Sequence, residues 1–223
     1  MTGEIIIEGK PFCFDKLPWV YHEIPNAKFD LELAKECLLL IKKILDSKGV
    51  PFLLMHGTLL GAYRDGGFIP HDIDIDLSIY EKDDEALKSS IPELYEAGIK
   101  ICRYHYGIIY SFIYKGVICD IDVIQHARFP YSFRYYRVLT ELVPKKYLSN
   151  VTNYAFLGNS FLIPHNPSAI LAYEYGKDWR IPQKGKSANI SPIWMKPFKF
   201  VKRAVLFILR KLHLLHARRT MEE

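Results

Sequence analysis

The spacing of apolar residues along the chain predicts several helices. After Asp30, apolar side chains recur every three or four residues, and Asp30 and Gly49 are suitable residues to begin and end this helix. Its apolar stripe consists of Leu33, Cys37, Leu38, Ile41, Ile44 and Leu45. Further helices are expected at 58–63, 83–97 and 167–175. Pro92 should end or bend the helix at 83–97, because proline lacks the N–H that an inner helical turn needs.

Shorter apolar or alternating runs predict β-strands. The strands are expected at 50–56, 73–80, 99–104, 108–114 and 117–124, with hairpins at 4–14 and 154–164. Because helices and strands alternate before the later hairpins, this order predicts an α+β domain with a mixed β-sheet flanked by helices. We divide the chain into an N-terminal arm (1–29), a catalytic domain (30–185) and a tail (186–223).

One of the predicted strands carries three aspartates. Asp72, Asp74 and Asp76 alternate with aliphatic residues, so the two-residue period of a strand places them on one face. Like charges on one face repel each other, and a divalent cation bound through oxygen ligands would compensate them. The alternative is the solvated face of an edge strand, although aspartate is a poor strand former.

A second acidic strand is predicted at 117–124, where Asp120 and Asp122 show the same alternation. Two such strands in one domain predict that the carboxylates converge on one metal site. The first acidic strand is not an EF-hand, because Leu77 stands where the turn of that loop requires glycine. A zinc site is not expected either, because no cysteine or histidine pair has the required spacing.

The segment before the first acidic strand has the composition of a phosphate-binding turn. Gly57 and Thr58 lie where a strand is expected to turn into a helix. Glycine allows a ligand to approach the backbone closely, and a helix N-terminus offers free N–H groups to an anion. Arg64 could add a forked donor for phosphate oxygens.

Together these motifs resemble the nucleotidyltransferase-fold superfamily, in which a Gly-Ser/Thr turn, a short helix, an Asp-x-Asp strand and a third acidic strand follow one another. The segment is similar, more specifically, to the LicD/fukutin family of phosphotransferases. The residues that carry this similarity are Gly57-Thr-Leu-Leu-Gly-Ala-Tyr-Arg64, Phe68-Ile-Pro70 and Asp72-x-Asp74-x-Asp76. A later set resembles the C-terminal signature of the family: Asn166-Pro167, Tyr175-Gly176-Lys-Asp178-Trp179 and Pro182.

The resemblance implies a nucleotidyltransferase-like fold and a metal-dependent transfer reaction. A substituted phosphate, of the phosphocholine or polyol phosphate type, would pass from a CDP-alcohol donor to a hydroxyl of a cell-surface or lipid-linked glycan. The implied catalytic acids, which would also ligate Mg²⁺ or Mn²⁺, are Asp74, Asp76 and Asp122. The groups expected to contact the donor are Gly57, Thr58, Arg64, Asp72 and Asp120.

The assignment of the third acid and two alternative functions stay open. Asp122 is preferred over Asp120 as the third acid, because the family pattern has two apolar residues after this aspartate and Val123-Ile124 fits it. One alternative function is a nucleotidyltransferase that moves a nucleoside monophosphate onto a small molecule and releases pyrophosphate instead of CMP. The other is a noncatalytic module that binds a nucleotide or a metal.

Charge is distributed unevenly along the chain. The whole chain has 30 basic and 25 acidic residues, but the segment from Arg180 to Glu223 has 11 basic and only two acidic ones. Between Lys196 and Arg219 basic residues interleave with apolar ones, which is typical of an amphipathic helix on an anionic membrane; packing on protein is the alternative. The acidic remainder of the chain excludes a protein that coats nucleic acid.

The sequence also predicts a reducing compartment. The chain shows neither a signal peptide nor an apolar run long enough to cross a bilayer, so we expect a cytoplasmic location or the inner face of a membrane. The cysteines are expected to be reduced and mostly buried. They are Cys13, Cys37, Cys102 and Cys119.

Other residues with possible chemistry are interpreted as structural. The aromatic and basic stretch from Arg128 to Arg137 either stacks a base or sugar or forms an amphipathic helix with an aromatic core face, and we favour the helix. His56, His105 and His126 are expected to be packed or hydrogen-bonded rather than catalytic.

Overall fold

A computed structural model of the chain describes residues 2–18, 23–24 and 29–182. The predicted tail at 186–223, with its amphipathic helix and its membrane contact, lies outside these residues. The predicted domain boundaries likewise stay predictions. Among the helices of the described ranges, none combines the length and apolar character needed to cross a bilayer.

The elements follow the predicted order closely. The strands are β1 (Thr2–Ile7), β2 (Lys10–Asp15), β3 (Leu53–Leu54), β4 (Asp74–Tyr80), β5 (Lys100–His105), β6 (Ile109–Tyr114), β7 (Val117–His126), β8 (Tyr135–Val138), β9 (Glu141–Pro144), β10 (Val151–Phe156) and β11 (Asn159–Pro164). The helices are α1 (Leu31–Ser47), α2 (His56–Arg64), α3 (Asp84–Glu96), α4 (Lys145–Leu148) and α5 (Pro167–Tyr175), with a 3₁₀ turn at Glu81–Asp83.

Nine of these strands form a mixed sheet. Its order is β10-β11-β3-β4-β7-β6-β5, and β8 pairs with the end of β7 and with β9. The pairs β11–β3 and β4–β7 are parallel, whereas the other pairs in the sheet are antiparallel. Helices pack on this sheet, so the predicted α+β class with a mixed sheet is confirmed.

Helix α1 begins where the sequence predicts it. One carboxylate oxygen of Asp30 accepts hydrogen bonds from the backbone N–H groups of Glu32 and Leu33, both at 3.1 Å. These bonds satisfy two of the N–H groups that every helix start leaves without an internal partner. The predicted apolar stripe is buried except for Leu33, which packs against the core.

The core fixes the orientation of β4. Ile75, Leu77 and Ile79 are fully buried on one face of this strand. Because side chains alternate along a strand, Asp74 and Asp76 lie on the opposite face, together with Ser78. The apolar residues between the aspartates therefore determine where the acids lie.

Two local predictions are wrong in extent or type, and one of the two alternatives for Pro92 is excluded. Pro92 lies inside α3 and does not end it, because Leu87, Ile91 and Leu94 bury the helix on both sides of it. The strand expected at 50–56 is only two residues long. The stretch from Arg128 to Arg137 forms no helix; it is a loop that leads into β8.

Candidate active site

The parallel pairing of β4 with β7 brings the two acidic strands together. Asp76 lies directly beside Asp120, and Ser78 lies beside Asp122. Neighbouring strands are about 4.8 Å apart, and paired residues point to the same face. The aspartates of both strands therefore share one face, in the arrangement that the alternation predicts.

Residues at the start of α2 hold Asp76 in place. The backbone N–H of Gly57 donates to Oδ2 of Asp76 at 2.9 Å. The backbone N–H of Asp76 donates to Oγ1 of Thr58 at 2.9 Å, and its carbonyl accepts from the N–H of Met55 at 3.2 Å. The Gly-Thr turn thus positions the central acid of β4 directly.

Gly57 also lies against a second carboxylate. A Cβ atom at this position would stand 2.6 Å from Oδ2 of Asp72 and 3.0 Å from Oδ2 of Asp76. The Oδ2 atoms of Asp72 and Asp76 therefore converge beside the backbone of Gly57. A side chain at this position would displace these carboxylates, because it would occupy the space between the backbone and the acids.

Burial and mutual repulsion raise the pKa values of these acids. Burial, followed by repulsion from Asp120 and Asp72, raises the pKa of Asp74 to about 7. Burial and the charge of Asp74 raise the pKa of Asp76 well above its usual range. A nearby cation would relieve this penalty, because it favours the ionised form of each carboxylate.

The donor set suits a hard divalent cation. Converging carboxylate oxygens are the ligands that Mg²⁺ and Mn²⁺ prefer. Across the described ranges, no three histidine, cysteine, aspartate or glutamate side chains already form a finished metal site. Binding an ion would therefore require the carboxylates to draw together.

The two acids of β7 have different partners. Asp120 is half-buried, and Nη2 of the buried Arg103 donates to its Oδ1 at 3.1 Å. Burial raises the pKa of Asp120, whereas Arg103 opposes that rise. Asp122 is buried, and its Oδ2 lies 3.2 Å from Nε2 of His56. Each acid of β7 thus has a cationic partner, which is Arg103 for Asp120 and His56 for Asp122.

His56 lies between two buried carboxylates. Its Nδ1 is 3.2 Å from Oε1 of Glu174 in α5, and the side chains of His56, Asp122 and Glu174 are only 9%, 6% and 1% exposed. Burial alone would lower the pKa of His56, but Glu174 and Asp122 outweigh burial and raise it well above 6.5. The two carboxylates therefore favour the protonated form of the ring.

The backbone at His56 is also unusual. Its φ is +47°, a left-handed conformation that non-glycine residues seldom adopt. Such conformations persist only where the surrounding contacts enforce them. Here the conformation turns β3 sharply into α2, and the turn presents the N–H of Gly57 to Asp76.

Comparison with known proteins identifies the family. The sequence model described as LicD/FKTN/FKRP, nucleotidyltransferase domain, matches residues 49–166. The chain belongs to this family. Every site residue predicted from the sequence, from Gly57 to Asp122, lies inside the matched segment.

Individual relatives agree with the family match. The chain is 30% identical over 182 residues to ribitol-5-phosphate transferase FKTN of Mus musculus, and 30% identical over 173 residues to that of Homo sapiens. Each match covers 74% of the chain but only 37% of the relative. Ribitol 5-phosphate transferase FKRP of Homo sapiens is 36% identical over 69 residues, which are 31% of the chain and 14% of the relative.

Solved structures show a weaker similarity. A crystal structure of ANT(2″)-Ia in complex with adenylyl-2″-tobramycin has a TM-score of 0.45 at 17% identity, covering 64% of this chain and 76% of that one. A solution structure of ANT(2″)-Ia has a TM-score of 0.46 at 16% identity, covering 83% of this chain and 97% of that one. A similarity of this size supports no functional argument.

Arg64 is also predicted to belong to the site, but the fold of this LicD/FKTN/FKRP domain does not bring it to the acids. It ends α2, about 10 Å along the helix from Gly57 at 1.5 Å per residue. Its guanidinium donates to both carboxylate oxygens of Asp65 at 2.7–2.8 Å. Contact with a donor phosphate therefore stays a prediction and would require Arg64 to exchange its partner.

Two charged residues around this family's acid cluster, Glu174 and Arg103, are not among the site residues that the sequence predicts. The prediction that His56 is packed or hydrogen-bonded is confirmed, because its ring is buried between Asp122 and Glu174. Glu174 lies outside the segment matched by the family model. A signal existed in α5, where Glu174 follows the buried Ile170 by four residues and so shares its apolar face.

Proposed function

We propose that this LicD/FKTN/FKRP domain transfers a substituted phosphate from a CDP-alcohol to a hydroxyl of a glycan. The observation that carries the proposal is the convergence of the acids of β4 and β7 beside the Gly57-Thr58 turn. Phosphoryl-type transfer depends mainly on positioning and charge neutralisation, which such a site provides. The names of the FKTN and FKRP relatives favour a polyol phosphate such as ribitol phosphate.

Asp74 and Asp76 are the proposed ligands of Mg²⁺ or Mn²⁺. For the third ligand, the family pattern favours Asp122 and the strand register favours Asp120. We propose Asp120, because it lies beside Asp76 in the strand register, its charge acts on Asp74, and its side chain is 19% exposed whereas that of Asp122 is 6% exposed. When bound, the ion would neutralise the charge of the donor's diphosphate and align it.

The remaining roles belong to the chain itself. Gly57 lets the diphosphate approach the start of α2. Thr58 is 1% exposed and supports the site through Asp76, whose backbone N–H donates to Oγ1 of Thr58. The acceptor oxygen bonds to the phosphorus that bears the alcohol. The bond from that phosphorus to the bridging oxygen breaks, and CMP leaves. Asp120 receives the proton of the acceptor hydroxyl.

The proposal is tested by product analysis. Purified full-length protein is incubated with Mg²⁺, a glycan acceptor and CDP-ribitol, CDP-glycerol or CDP-choline, and CMP and the modified glycan are measured. We expect a CDP-polyol to release CMP in the presence of Mg²⁺, and we expect this release to stop when EDTA is added. Release of pyrophosphate from CTP, with nucleotide attached to the acceptor, would show nucleotidyl transfer and contradict the proposal.

The third acid is tested by comparing Asp120→Asn with Asp122→Asn. We expect Asp120→Asn to lower turnover about 100-fold or more, the scale of losing a positioned base, and to weaken the rise in melting temperature caused by Mg²⁺. Asp122→Asn should mainly lower thermal stability, since it removes one partner of His56. If Asp122→Asn loses more turnover and loses the Mg²⁺ response while staying folded, the family-based assignment is correct instead.

The close approach at Gly57 gives a second test. Gly57→Ala should keep the fold, because the atom it meets first is the mobile end of Asp72, but should lower turnover roughly 10- to 100-fold by displacing the acids. Gly67→Ala is the matched control, because a Cβ there has open space and should change little. Equal turnover in the two variants would contradict the proposed role of Gly57.

A further inference from the structure

The loop between β7 and β8, residues 127–134, exposes two phenylalanines to solvent. Phe129 is 84% exposed and Phe133 is 82% exposed, more than any other large hydrophobic side chain of the described ranges. Two phenylalanines this exposed within five residues of one loop are unusual for an ordinary surface. Neither residue contributes to the acid cluster.

The same loop carries and borders several positive charges. The sequence contains no acidic residue between Asp122 and Glu141, and Arg128 and Arg134 are both exposed. The backbone N–H of Lys145 donates to the carbonyl of Arg134 at 2.9 Å, which places Lys145 and its exposed neighbour Lys146 beside the loop. This cationic cluster contrasts with the net acidic sequence before residue 180.

Backbone hydrogen bonds hold the loop in a defined shape. The N–H of Tyr131 donates to the carbonyl of Arg128 at 2.9 Å. The N–H groups of Arg134 and Tyr135 donate to the carbonyl of Tyr131 at 3.1 and 3.0 Å. The phenylalanines are therefore presented by an ordered turn, which lowers the entropy cost of docking.

We propose that loop 127–134 docks onto the surface of an anionic lipid bilayer. Aromatic rings are favourable at the level of the lipid headgroups, and arginines bind the headgroup phosphates. The exposed arginines of the loop and the neighbouring lysines complement the phosphates of anionic lipids, and this charge complementarity is the basis for choosing a bilayer as the partner. Glu81, which accepts a hydrogen bond from the backbone N–H of His126, is an exposed acidic side chain at the edge of this surface. This contact is separate from the one predicted for the tail at 186–223, and it does not depend on the proposed reaction.

Vesicle flotation of the full-length protein tests the proposal. The vesicles contain either phosphatidylcholine alone or equimolar phosphatidylcholine and phosphatidylserine. We expect Phe129→Ser with Phe133→Ser to weaken binding to the anionic vesicles about tenfold. Arg128→Gln with Arg134→Gln should weaken it roughly 30-fold at low salt.

Matched controls separate the loop from general charge and from the tail. Tyr106→Ser removes another aromatic side chain, which is 74% exposed, and Lys10→Gln with Lys43→Gln removes two exposed charges elsewhere. Both controls should bind within about twofold of the unmodified protein, because both leave the loop and the tail unchanged. The lysine pair removes the same number of charges as the arginine variant. Unchanged melting temperatures would show that every variant is folded.

Three outcomes would overturn the proposal. The first is equal binding by the loop variants and the unmodified protein. The second is an equal loss in the controls. The third is self-association of the protein through the loop. In that case the phenylalanine variant would be monomeric, and anionic vesicles would not compete with self-association of the unmodified protein.

Discussion

Replacing Asp74 with asparagine is expected to lower the rate of CMP release about 1,000-fold, the scale of losing a preorganised group that stabilises transferred charge. The charges of Asp120 and Asp72 repel that of Asp74 and help to raise its pKa. Asparagine has nearly the same shape but cannot provide the negative charge that a metal needs. Activity is measured as CMP release at saturating Mg²⁺. Full activity in this variant would contradict the metal assignment.

The same variant should be more stable than the unmodified protein in EDTA. Folding raises the pKa of Asp74 from 3.8 to about 7, so the folded state favours the neutral carboxyl. Stability from this group is complete below pH 3.8 and is lost as the pH rises to 7. Asparagine avoids that loss, so at pH 8 the melting temperature should rise by roughly 2–4 °C for each 1 kcal/mol gained.

Two controls accompany the Asp74 measurements. Mg²⁺ should raise the melting temperature of the unmodified protein but not that of Asp74→Asn, because a bound ion stabilises only the state that binds it. Asp46→Asn makes the same chemical change at an exposed position on α1 and should leave turnover and the Mg²⁺ response unchanged. A lower melting temperature for Asp74→Asn in EDTA would contradict the repulsion argument.

Replacing His56 with asparagine is expected to lower the free energy of unfolding by about 3–5 kcal/mol, the cost of leaving buried charges without their partner. Asparagine tolerates the left-handed backbone of this position, so the variant removes the positive charge without adding backbone strain. Asp122 and Glu174 would then face each other without a cation. Urea unfolding at pH 7 measures the loss.

A second substitution separates charge from shape at His56. Glu174→Gln in the His56→Asn background removes one of the two unpaired charges and should restore part of the stability. His105→Asn, at an exposed position in β5, is the matched control and should be nearly neutral. A double variant less stable than His56→Asn would show that packing, rather than charge, dominates this cluster.

The features that depend on local pattern could be predicted from the sequence. The start of α1 follows from the capping chemistry of Asp30, and the face that carries Asp74 and Asp76 follows from the two-residue period of a strand. The α5 helix and its end near Gly176 follow from similar local signals. In each case neighbouring residues contain the necessary information.

The features that depend on distant segments could not be predicted. The register that sets Asp120 beside Asp76 is a tertiary property, because a shift of two residues preserves the alternation of both strands. Pro92 lies inside α3 because core packing outweighs its lost hydrogen bond, and the partners of His56 come from β7 and α5. The charged pairs between distant segments could therefore be identified only from the structure.

The pairing of His56 with Glu174 also determines when the site can form during synthesis. Strand pairs between distant segments close long loops, and their entropy cost makes them form late. A nascent chain emerges from its N-terminus, so the acids of β4 exist well before α5 has been made. The buried cluster can be completed only after Glu174 has left the ribosome, and until then the growing chain holds His56 without its second carboxylate.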